Sequence, residues 1–103
     1  MRLYDLRTEY RVNPMGLTAK APRFSWKIES QEKETLQTAY EIHVTDENGK
    51  LVWNSGKRVS DQSVLIPYEG EALASETLYT VQVSVADNHG NTESVEGTFE
   101  TGI

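Results

Sequence analysis

Strict alternation of apolar and polar residues recurs along this chain at short intervals, and few folds tolerate it. In Leu78–Asp87, residues Tyr79, Val81, Val83 and Val85 share one face, while Thr80, Gln82 and Ser84 share the other. Successive side chains of an extended strand point to opposite faces, so this run reads as a strand with one buried and one wet side. Phe24, Trp26 and Ile28 alternate with Ser25 and Lys27 in the same way, as do Tyr40, Ile42 and Val44 with Glu41, His43 and Thr45. Shorter candidates are Leu3–Thr8, Leu51–Asn54, Ser63–Ile66 and Gly97–Thr101. Asn48-Gly49 is expected to accept positive φ at a hairpin end, and Asn88-His89-Gly90-Asn91 is expected to do the same after the long strand. Pro14-Met15-Gly16 and Pro22 break the chain between the first two strands, which predicts an extended crossing there. Ser30–Gln37 is too short and too polar to bury a helical face and reads as a loop. Seven short strands without a helix predict an all-β fold, an antiparallel two-sheet sandwich.

A chain of 103 residues matches one domain with one core. It has no cysteine, so disulfides, thiolate metal sites and cysteine nucleophiles are excluded together. The compartment stays open between a periplasmic or secreted location and the cytoplasm. A net charge of −6 disfavours nucleic acid and anionic membrane surfaces, which are bound through clustered Lys and Arg. No apolar run approaches the roughly 20 residues that cross a bilayer, and the first ten residues lack a signal-like apolar stretch. Residues 1–103 are expected to form a single excised module.

Two segments carry more than alternation. In ALASETLYTVQVSVADNHG, Leu73 precedes Tyr79 by six residues and Thr77 precedes it by two, and the segment resembles the sixth strand and preceding corner of fibronectin type III domains. That resemblance implies a tyrosine corner, in which the Tyr79 hydroxyl bonds back to upstream backbone. PRFSWKIE resembles the second strand of the same fold, with Trp26 as its large core residue.

NPMGLTAKAPRFSWKIES, QTAYEIHV, VWNSGKRVSDQS and IPYEGEAL, in that order, resemble the N-terminal immunoglobulin-like module of large inverting bacterial α-L-rhamnosidases. The resemblance implies an immunoglobulin-like, fibronectin type III-like sandwich ahead of further β-domains and an α/α-barrel that carries the catalytic carboxylates. It implies a non-catalytic accessory role, no cofactor, and adjacent domains of the same polypeptide as partners. The chain departs from the family pattern in two places. Val81 and Ala86 stand where members often carry tryptophans, and Trp53-Asn54-Ser55-Gly56 replaces a tryptophan-aspartate-serine-glycine run.

Candidate sites are few. Inverting glycosidases use two carboxyl groups roughly 6.5–9.5 Å apart, a distance Glu69 and Glu71 meet if extended. A small sandwich with a filled interior offers them no water-excluding pocket, so they read as solvated loop acids and no catalytic residue is expected. His43 on a wet strand face and His89 at a turn tip share no ligand geometry, and the Asp87–Asn91 run lacks the bidentate glutamate of a calcium hand, so no metal is expected. Trp26, Tyr40 and Tyr79 are expected in the core. Trp53 is open between two roles: a flat exposed platform for a sugar ring, such as a rhamnose-containing glycan, or a packing residue. Alternation does not choose, because Val52 and Trp53 are both apolar and face opposite ways. Packing fits the small core better. Tyr68, and after it Tyr4, are further candidates for an exposed ring. The rival functions are therefore a carbohydrate-binding module using Trp53 or Tyr68, and an adhesion module that binds another protein.

Overall fold

The computed structural model describes residues 1–103. Seven strands follow one another: β1 (Arg2–Thr8), β2 (Arg23–Glu29), β3 (Gln37–Thr45), β4 (Leu51–Asn54), β5 (Ile66–Pro67), β6 (Leu78–Asp87) and β7 (Thr92–Glu100). They form two antiparallel sheets, ordered β1-β2-β5 and β4-β3-β6-β7. The expected all-β sandwich is the fold observed. Ser30–Gln37 contains no helix, as its polarity predicts.

The alternating residues meet between the sheets. Phe24 and Trp26 from β2 face Ile42 and Val44 from β3, Val81, Val83 and Val85 from β6, and Phe99 from β7, all of them buried. Tyr79, at the start of β6, stacks on Phe99 with ring centroids 5.1 Å apart. The Trp26 indole N–H would be stranded in this apolar layer, but it donates to Gln37 Oε1 at 2.9 Å. The Gln37 amide in turn donates to the carbonyls of Ser60 and Gln62. A buried amide thus satisfies the indole and pins the 60–62 segment to β3.

The strand bounds depart from the sequence reading at two places. The expected Ser63–Ile66 strand shrinks to Ile66–Pro67, because Leu65 adopts a left-handed φ of 53° and interrupts the ladder. The expected Gly97–Thr101 strand begins earlier, at Thr92, and pairs with β6 along its whole length. Thr92–Glu96 lies mostly in solvent, so backbone pairing rather than burial holds it, and it leaves little apolar signature. On β1, the register shifts between Tyr4 and Arg7 around Asp5, whose φ is 53°. Arg7 and Lys27 pair with the Asp5 carboxylate, so this bulged edge strand carries charge that discourages edge-to-edge association.

Candidate functional site

Trp53 lies on β4, and the loop from Pro67 to Glu71 folds back over it. The Tyr68 hydroxyl donates to the Glu71 carbonyl at 2.5 Å and approaches the Val52 carbonyl at 3.4 Å, while the Glu71 N–H donates to the Val52 carbonyl. The loop therefore completes the edge of β4. Trp53 packs edge-on against Tyr68, with ring centroids 5.3 Å apart, and stacks at 6.3 Å on Phe24. The Arg58 guanidinium lies 5.7 Å from the Trp53 ring and forms an ion pair with Glu69 at 2.9 Å. Trp53 is 7% exposed and Tyr68 4%, so neither ring presents a free face to solvent. Burial raises the Tyr68 hydroxyl pKa to about 12.

Gly70 shows how tightly this corner is closed. A Cβ there would lie 2.5 Å from Trp53 Cβ, 2.5 Å from the Val52 carbonyl oxygen and 2.6 Å from the Tyr68 hydroxyl. The Trp53-Asn54-Ser55-Gly56 run then turns the chain: Asn54 Oδ1 accepts from the Gly56 N–H, and the Ser55 hydroxyl accepts from Ile42 N–H. An amide oxygen at position 54 accepts this bond as a carboxylate would, without the charge.

The Tyr79 corner holds the opposite sheet margin. The Tyr79 hydroxyl accepts from the Ala74 N–H at 2.8 Å, the upstream bond that the corner pattern implies. Thr101 ties into the same knot, donating to the Ala74 carbonyl at 2.6 Å and accepting from Thr77 N–H at 2.9 Å. Trp26, Tyr40 and Tyr79 are all buried, and Trp26 packs edge-on against Tyr40 at 5.4 Å. Tyr4 is half-buried beneath the Arg2 guanidinium. Val81 is fully buried, paired with Val44 and Gly97, while Ala86 pairs with Ala39 and Thr92 near the far end of β6.

The acids do not converge. Glu69 pairs with Arg58 and Glu71 with Lys50, both at the surface. His43 meets only Glu41 on its own strand, and His89 meets Glu32. No group of three or more His, Asp or Glu side chains is placed to hold a metal ion. The Asp87–Asn91 run is a turn whose oxygens are already engaged, since Asp87 Oδ1 accepts from the N–H groups of His89 and Asn91. Burial raises the Asp87 pKa, but the bonds from Asn91 and His89 outweigh it and hold the carboxyl below its usual range. Sequence reasoning missed three residues that organise the molecule: Gln37, Arg58 and Gly70. Gln37 was detectable as a polar residue opening an apolar strand; Gly70 and Arg58 act through loop packing that has no periodicity.

This arrangement defines a class: a two-sheet immunoglobulin-type sandwich that buries both tryptophans, both phenylalanines and three of its tyrosines in its own interior. The chain matches the family model described as "Rha78A-like, N-terminal immunoglobulin domain" over residues 3–103, and it belongs to that family. It is 38% identical to an α-L-rhamnosidase of Streptomyces avermitilis, the match spanning the whole of this chain and 11% of that enzyme. It is also 38% identical to an α-L-rhamnosidase of Formosa agariphila over 80% of this chain. The solved S. avermitilis α-L-rhamnosidase complexed with L-rhamnose superposes with a TM-score of 0.90 at 38% identity, over 98% of this chain and 10% of that one. The α-L-rhamnosidase of Dictyoglumus thermophilum superposes with a TM-score of 0.87, over 97% of this chain and 12% of that one. The chain thus spans about a tenth of the length of the relatives it matches.

Proposed function

We propose that this chain is the non-catalytic N-terminal module of a multidomain α-L-rhamnosidase, and that it serves as a scaffold for the domains that follow. The observation that carries this reading is the end-to-end match to a small leading part of much larger rhamnosidases. The filled interior and the surface ion pairs of Glu69 and Glu71 support it, because glycoside hydrolysis needs two carboxyl groups facing one sheltered site. In this reading Trp53, Tyr68, Trp26, Tyr40 and Tyr79 act by packing. A stacking role for Trp53 or Tyr68 requires an open ring face, and burial of both rings argues against it. The adjacent domains of the polypeptide are the expected partners.

The test compares hydrolysis of an aryl α-L-rhamnoside by the isolated chain and by the full-length polypeptide. The expected result is turnover by the full polypeptide and none by residues 1–103. Turnover by the isolated chain at a rate near that of the full polypeptide overturns the proposal.

A further inference from the structure

The pole where β7 ends differs chemically from the rest of the surface. It carries a groove of about 410 Å³ between residues 17–20, residues 72–75 and the exit segment 101–103. Leu17, Leu73, Ala74 and Ile103 contribute to its walls, and Lys20 is the one charged residue along it. A quarter of the chain's residues are charged, so a nearly charge-free concavity stands out. The backbone of the 101–102 wall is tied down on both sides. Leu17 N–H donates to Glu100, Gly102 N–H to Leu17 at 2.7 Å, Glu76 N–H to Gly102 at 3.0 Å, and Thr101 N–H to Thr77 at 3.0 Å.

The exit segment is clamped as well as grooved. Thr101 is buried and bridges in parallel to Leu17, and Gly102 packs so closely that an added Cβ would lie 3.0 Å from the Gly16 carbonyl oxygen. Met15, next to the Gly16 that holds Gly102, is 73% exposed.

We infer that this pole is the seam on which the next domain of the same polypeptide sits, with the clamped segment fixing its orientation. This rests on the reading that the chain is the leading module of a longer enzyme. In the relatives about nine tenths of the polypeptide lies outside the matched part, so the occupant is a tethered neighbour. Tethering places that neighbour at millimolar effective concentration, at which a modest apolar contact suffices. Interfaces between domains of one chain are of this kind, small and only partly apolar.

The experiment is hydrogen–deuterium exchange, read by mass spectrometry, on the full-length polypeptide and on the isolated chain. The expected result is that amides of 18–19 and 72–75 exchange about tenfold or more slowly in the full polypeptide. Ile103→Asp in the full polypeptide is expected to erase that difference, because residue 103 lines the groove and lies outside the core cluster. Val59→Asp, at a site 86% exposed and outside the groove, is the control expected to change nothing. Equal exchange in the two forms overturns the seam, as does protection appearing elsewhere, for example around Leu36 and Val59. A full polypeptide that shows the protection but does not hydrolyse rhamnosides overturns the enzyme assignment while leaving the seam in place.

Discussion

At the scale of single residues, Trp53 links three parts of the molecule: β4 that carries it, Phe24 in the opposite sheet, and the Pro67–Glu71 loop through Tyr68. Trp53→Ala is expected to cost about 3–5 kcal/mol in a urea titration, a large share of the stability of so small a domain. Gly70→Ala tests the same corner by addition rather than removal. With no room for a Cβ, it is expected to cost about 1–3 kcal/mol and to lower the melting temperature, although Ala is otherwise the milder residue for backbone entropy. Tyr68 gives the corner a pH signature. Its folded pKa of about 12 exceeds the ordinary value of 10, so the folded state keeps a proton that the unfolded chain loses. Its contribution is therefore fully present below pH 10 and disappears between pH 10 and about 12. Chemical unfolding across that window is expected to show falling stability, with the Tyr68→Phe variant showing a shallower fall. The alternation could not assign Trp53, because its partners arrive from the opposite sheet and from a loop that has no periodicity.

At the scale of elements, what was legible and what was not follows from the kind of force involved. Strands that bury a face, β2, β3 and β6, announce themselves by period two; β5, broken by Leu65, and the solvated half of β7 do not. The hairpin ends show a second limit. Asn48-Gly49 reads as a hairpin end that accepts positive φ, yet only Gly49 is left-handed, and the turn is built by Asp46, whose Oδ1 accepts from the N–H groups of Asn48 and Lys50. Asp87 repeats this arrangement with His89 and Asn91, and Gly90 takes the place of Gly49. An aspartate three residues before a glycine was thus the signal shared by both hairpins, and it was present twice in the sequence. Asp87→Ala is expected to lower the thermal midpoint at neutral pH. Because the Asp87 carboxyl is held below its usual range, its contribution should fade as pH drops through that range, and the wild-type and variant midpoints should converge in acid. The tyrosine corner was readable because its spacing is fixed by backbone geometry. Tyr79→Phe leaves the Ala74 N–H without its acceptor and is expected to cost about 1–3 kcal/mol, measured by urea unfolding.

At the scale of the whole molecule, a body of 46 × 23 × 19 Å is filled by its own aromatic and branched side chains. Glu69 and Glu71 are paired at the surface, and its least charged concavity lies beside residues 101–103. Such a body is suited to bearing load between domains rather than to sheltering a reaction. The most direct measurement removes residues 1–103 from the full-length polypeptide and records both rhamnoside turnover per folded molecule and the half-life of activity at elevated temperature. A scaffold predicts turnover within a few-fold of the intact enzyme, together with a clearly shortened half-life. Turnover abolished in a remainder that is still folded, at unchanged thermal half-life, would contradict the account.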